Sequence, residues 1–364
     1  MAEPTVRNEV PLKARMPALK ITLALIVLGG AVAGIGLYLS LGSGNKASPP
    51  GAVKASPTGP AQVSGPCVTV PHACGFPDAT NTGVPRGTVL RSVPGQVSSG
   101  PGWHFDAKGN DVVVTDSGTV LSDLSIPYEL DIDASNVTVR DIRVVTGGYF
   151  GIALRHTTGV TIEDSTVRGQ NPTSGRVDSA ISDVYGDSSG IVIKNTDISR
   201  FRTGVKVSTG LITDNYIHDP GFISGDHTNG IYVAGTTKPL TIRGNTIFNS
   251  LGQTDDINLD ASTSEQNVAN KFVVGNLLAG GGYSIYGGGS HGGHTSNIVI
   301  KDNEFGRLYF PKGGRYGPAA YFDPGQTGNV WSGNVWSGIS SPGKVHRGSP
   351  LPVSVLPGVS SSGA

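Results

Sequence analysis

The stretch Gly221–Ser262, GFISGDHTNGIYVAGTTKPLTIRGNTIFNSLGQTDDINLDAS, holds one complete structural repeat and the densest group of chemically capable side chains in the sequence. Its apolar pairs Ile231/Val233, Leu240/Ile242 and Ile257/Leu259 alternate with polar residues, which is the two-residue period of a strand with one buried face. The intervals are filled by Gly, Thr, Asn and Asp, residues that close tight turns. Asp226, His227, Asn229, Tyr232, Asp255, Asp256, Asn258 and Asp260 sit among them, so chemistry is expected here.

Outward from this stretch a six-residue unit recurs as VRDIRV (139–144), IEDSTV (162–167), IKNTDI (193–198), ITDNYI (212–217), IRGNTI (242–247), VVGNLL (273–278), IKDNEF (300–305) and WSGNVW (331–336). Its fourth position reads Ile142, Ser165, Thr196, Asn215, Asn245, Asn276, Asn303 and Asn334, at intervals of 19 to 31 residues. Each interval is one turn of a solenoid, and a repeated Asn can stack amide on amide along its axis. A second strand family alternates with the first, in segments starting at Gly151, Ala180, Gly204, Gly230, Asp256, Ser284 and Ala319. No helical period lies between them, which disfavours βαβ units. The fold expected is all-β, a parallel β-helix whose coils bury aliphatic side chains against one another.

Aligning the second family puts Ala153, Ser182, Lys206, Tyr232, Asn258, Tyr286 and Tyr321 in one outward column, with neighbours about 4.8 Å apart. Tyrosine rings can stack on sugar C–H faces while amide and amine groups bind hydroxyls; the plainer reading is that Tyr suits a strand surface. Acids lie in the turns that lead into the column, at Asp226 and at Asp255–Asp256, with His227 as a candidate base. Asp226 and Asp260 equally suit turn or ladder roles. Asp255, Asp256 and Asp260 offer oxygen ligands suited to Ca²⁺. His291 and His294 in SHGGH are a weaker metal pair, and Arg155–His156 extend the same face.

The chain has 364 residues, formal net charge zero and 54 glycines without a G-X-Y period. That excludes collagen and gives no bulk charge for nucleic acid. Residues 21–42, ITLALIVLGGAVAGIGLYLSLG, are uncharged and follow Arg7, Lys13, Arg15 and Lys20. About 22 residues of helix span roughly 33 Å, enough to cross a bilayer, and the basic flank places residues 1–20 in the cytoplasm. The expectation is a transmembrane signal anchor with the C-terminal domain outside; the competing reading is a signal peptide cleaved near Ala31–Ala33, which would make the protein secreted. Residues 43–66 read as a Pro/Gly/Ser linker, 67–338 as the solenoid domain and 339–364 as a disordered tail. Cys67 and Cys74 are the only cysteines and are expected to form a disulfide outside the cell.

The repeat pattern over about residues 85–338 resembles the right-handed parallel β-helix of the pectate-lyase-like superfamily. The handedness comes from that resemblance. HTNGI (227–231), TDDINLD (254–260) and GGGYSIYG (280–287) are also similar in order and spacing to the NTDGF, DD and GHG motifs of polygalacturonase-type glycoside hydrolases. Asn229 stands where that family has its first aspartate and Gly281 where it has the histidine, so Asp255 and Asp256 alone carry over. The resemblance implies an extracytoplasmic carbohydrate-active protein: a hydrolase, or a lyase of the superfamily acting on a uronic-acid-containing polysaccharide. The residues expected to act are Asp255, Asp256, His227 and Lys206, with Asp226, Asn229, Tyr232, Asn258, Tyr286 and Tyr321 binding substrate. The alternative is a non-catalytic polysaccharide-binding or cell-surface structural module.

Overall fold

The computed structural model describes residues 64–356 apart from 172, 174–176 and 262. The segment read as an anchor and nearly all of the linker lie outside the described residues. Among the described residues no helix is long and apolar enough to cross a membrane.

The repeats wind into an all-β, right-handed parallel solenoid with sheets of ten, eleven and nine strands. One coil shows the plan. Asn229–Val233 joins the eleven-stranded sheet, Leu240–Arg243 the nine-stranded sheet and Thr246–Asn249 the ten-stranded sheet, after which Asp255–Leu259 begins the next coil. Ile231, Val233, Leu240, Ile242, Ile247, Ile257 and Leu259 point inward and are at most 1% exposed. Full burial of such a side chain is worth about 1.5–3 kcal/mol, and the area is supplied by the coils on either side.

The recurring asparagines form a ladder. In the series Asn215, Asn245, Asn276, Asn303, Asn334, each Nδ2 donates to the next Oδ1 at 2.9–3.0 Å. Each backbone N–H donates to that same oxygen, also at 2.9–3.0 Å. Buried amides are thereby satisfied from coil to coil. Thr196 extends the series through its N–H, 3.0 Å from Asn215 Oδ1.

The segment from Gly65 to Ser92 runs the length of the solenoid as a strap. Gly65–Pro66 pairs with Ile339–Ser340, Gly83 N–H donates to Asn195 O, and Arg91–Ser92 pairs with Leu124–Ser125. Its Val68 packs on Phe248, Leu277 and Ala279, and its Phe76 leans on the same cluster. The Cys67–Cys74 disulfide forms as expected, with Cα atoms 5.6 Å apart.

The C-terminal expectation needs correction. Residues 339–356 are ordered: Ile339–Ser341 and Lys344–His346 form a hairpin, and Val353–Val355 a 3-10 turn. Leu351 and Leu356 are 2% and 4% exposed and cover the open end of the core. Trp331 lies against Phe305 and Phe322 and donates its indole N–H to Leu351 O at 2.8 Å. A few aliphatic residues in a Ser/Gly/Pro background suffice, because the last coil offers them an unpaired apolar face.

Candidate functional site: a polar groove on the eleven-stranded sheet

The outward column is real, with one change of register. Ala153, Ser182, Lys206, Tyr232, Asn258 and Tyr286 pair in sequence from coil to coil. Tyr286 then pairs with Ala320 rather than Tyr321. The strand ends at Ala320, and Tyr321 adopts φ +56° and swings its ring to 5.3 Å from that of Tyr286. Tyr321 therefore reaches the site from beside the column. Ala153 and Ser182 hold the expected register but are buried, at 0% and 1% exposure, so the open part of the column starts at Lys206.

From Lys206 to Tyr321 runs a groove of about 530 Å³, which gathers Lys206, His227, Asn229, Tyr232, Asn258, Asp260, Tyr286 and Tyr321. Arg202, Thr203, Thr254, Ser290 and His291 complete its walls. Thr203, Thr254 and Ser290 were missed in the sequence. Thr203 could have been found, because it pairs with Asn229 three residues before Lys206, as Asn229 itself precedes Tyr232.

The polar groups are fixed by one another. Asp260 accepts from the Tyr232 hydroxyl at 2.8 Å and from Ser290 Oγ at 3.1 Å. His291 Nδ1 donates to Ala261 O at 2.8 Å, and Arg202 pairs with Asp178 at 2.6 Å. Asn229 Nδ2 donates to His227 O at 3.2 Å, leaving the His227 ring exposed. Lys206 lies 6.0 Å from the centroid of the Tyr232 ring and makes no ion pair among the described residues. Tyr286 is pushed up to about 12, chiefly by burial and then by the nearby Asp255. It keeps its proton at neutral pH and serves as a hydrogen-bonding stacking ring.

Three expected participants stand elsewhere. Asp226 is buried and its carboxylate accepts from Ile223 N–H at 2.8 Å, closing its own turn. Asp255 and Asp256 are 0% exposed and neither lines the groove. The next coil covers Asp255: Gly281 has φ +68°, and a Cβ there would lie 2.6 Å from Asp255 Cα. Residue 281 must therefore be glycine for the backbone to pass so close. Asp256 accepts from Asn249 N–H at 3.0 Å, inside the coil. Burial pushes both carboxyls well above the usual range; for Asp255 the nearby Asp256 and Asp260 add to it, while for Asp256 the hydrogen bonds from Asn249 and Ser284 work against it. Among the described residues, both Asp255 oxygens and Asp256 Oδ2 lack hydrogen-bond partners, which favours the neutral acid.

The oxygens of Asp255, Asp256 and Asp260, read as able to ligate Ca²⁺, are not gathered at one open position. Asp260 is committed to Tyr232 and Ser290, while Asp255 and Asp256 are sealed behind the wall. Among the described residues no group of three or more His, Cys, Asp or Glu could hold a metal ion.

What the groove can do chemically is stack flat rings, donate and accept hydrogen bonds, and present cations at Lys206 and Arg202. No protein-family model matches the chain, and no curated protein matches it.

Proposed function

We propose that the groove binds a polysaccharide, as the non-catalytic module of an extracytoplasmic, membrane-anchored β-helix of the pectate-lyase-like kind. The observation carrying this is the separation of the acids from the groove. The carboxylate that lines it, Asp260, is held by two hydroxyl donors, and the Asp255–Asp256 pair that the hydrolase reading requires is fully buried. An acid–base pair must reach the glycosidic oxygen and a water from opposite sides, and buried neutral acids do neither. Rings at Tyr232, Tyr286 and Tyr321, with amides at Asn229 and Asn258, suit pyranose faces and hydroxyls. Lys206, which makes no ion pair among the described residues, suits a uronate carboxylate.

That same lysine sustains the second reading, a lyase in which Lys206 or His227 takes the proton α to the uronate carboxyl. Incubating the full-length chain in detergent solution with uronic and neutral polysaccharides separates the cases. Affinity without new products is expected. Unsaturated uronates detected by ultraviolet absorbance would establish the lyase, and new reducing ends without them a hydrolase.

A further inference from the structure

Beyond the groove, four tyrosines form a continuous aromatic surface over the last coils. The Tyr286 and Tyr283 rings have centroids 5.8 Å apart and are tilted by 53°, and those of Tyr283 and Tyr316 lie 5.8 Å apart at 45°. On the other side Tyr286 meets Tyr321 edge to face. Of these four, Tyr286 and Tyr321 line the groove and Tyr283 and Tyr316 do not, so the latter pair carries the surface sideways, along the strand instead of along the solenoid axis.

The position is built to hold the rings. Gly317 pairs with Tyr283, and a Cβ at 317 would lie 3.3 Å from Tyr283 Cε1, so glycine leaves the bed on which that ring lies. Tyr316 is nevertheless 56% exposed, more than a ring recruited only for packing would show. The Arg315 guanidinium stands 5.5 Å from the Tyr316 centroid, is exposed, and makes no ion pair among the described residues. Rigid rings beside an uncommitted planar donor suit a sugar, whose C–H face stacks while its hydroxyls accept hydrogen bonds.

We infer that Tyr283, Tyr316 and Arg315 form a second pyranose-binding subsite, which takes the part of a polysaccharide chain that extends past Tyr286. The chain lies along the Lys206–Tyr286 column and then turns sideways onto Tyr283 and Tyr316. This rests on the polysaccharide-binding reading of the groove and adds to it a dependence on chain length.

The test is calorimetric titration of the full-length chain with trimers and octamers of two series, cello-oligosaccharides and oligogalacturonides. In the series that binds, the octamer should bind more tightly than the trimer. Tyr316→Ala should weaken the octamer about tenfold, equivalent to ~1.4 kcal/mol, and the trimer by less than about twofold. Tyr316→Phe keeps the ring and should hold octamer affinity within about twofold. Tyr232→Ala should weaken both lengths. Octamer and trimer binding equally well, or Tyr316→Ala affecting both alike or neither, would overturn the subsite and leave the groove standing. Failure of all four ligands to bind the native chain would remove the groove reading and the subsite with it.

Discussion

The asparagine ladder makes the most quantitative demand on the fold, and Asn276 is its middle rung. Its Oδ1 accepts from Asn245 N–H and Asn245 Nδ2, both at 3.0 Å. Its Nδ2 donates to Ile242 O at 3.0 Å and to Asn303 Oδ1 at 2.9 Å. Asn276→Ala removes all four at a site with 0% exposure. At about 1 kcal/mol net per bond, the loss is about 4 kcal/mol, and the stranded Asn245 N–H raises it further. Thr196→Ala, which deletes one hydroxyl bond to Lys194 O at 2.9 Å, should cost only about 1 kcal/mol. Urea unfolding followed by far-ultraviolet circular dichroism measures both. Asn245 and Asn276 share one side-chain bond, so the double alanine variant should fall short of the sum of the singles by about 1 kcal/mol. If Asn276→Ala cost no more than Thr196→Ala, the ladder would be a consequence of coil stacking and not a cause of it.

Lys271 is fully buried, donates to the carbonyls of Ser208 and Lys238, and is pushed down to about 8 by burial and by Lys238. Its folded value lies below its unfolded value, so the unfolded chain holds more protons and stability should rise with pH, by roughly 2 kcal/mol between about pH 7 and pH 10. Lys271→Met should lack that rise in denaturant titrations, and a matching rise in the variant would refute the assignment. Asp255 has the opposite sign. Its folded value is raised, so the stability it contributes is full below the unfolded value of 3.8 and declines as pH climbs toward the folded one. Asp255→Asn should therefore flatten the loss of stability that sets in as pH rises above 3.8, without altering polysaccharide affinity; an unchanged slope, or lost binding, would contradict its placement behind the wall. Reducing Cys67–Cys74, which closes a separation of 7 residues, should cost about 2 kcal/mol by loop-closure entropy. Thermal melts with and without reductant should show that loss, and Cys67→Ser/Cys74→Ser should match the reduced protein; melts indifferent to reductant would argue against it.

The solenoid was legible because its signal repeats. Alternating pairs such as Ile231/Val233 and Ile257/Leu259, with Asn at every coil from 215 to 334, report a period that no single segment could carry. Column register was legible for the same reason from Ala153 to Tyr286. It slipped by one residue at Tyr321, where a left-handed backbone ends the strand, and no period signals such a break. The acids misled because a doublet at a turn looks exposed in sequence. Whether Asp255 faces solvent depends on Gly281 in the next coil bringing backbone across it, which is a contact between coils and leaves no local mark. Composition concealed the ordered residues 339–356 in a similar way, since Leu351 and Leu356 matter only because a bare coil end awaits them.

The claim on which the functional reading depends is that polysaccharide lies on the Lys206–Tyr286 column. Affinity electrophoresis of the full-length chain in gels containing polygalacturonate, carboxymethylcellulose or hydroxyethylcellulose tests it directly, with Tyr232→Ala as the comparison and matched thermal melts as the control for folding. The native chain should be slowed by at least one polymer, and Tyr232→Ala should migrate as it does without polymer. Native migration unaffected by all three, or equal retardation of the variant, would contradict it.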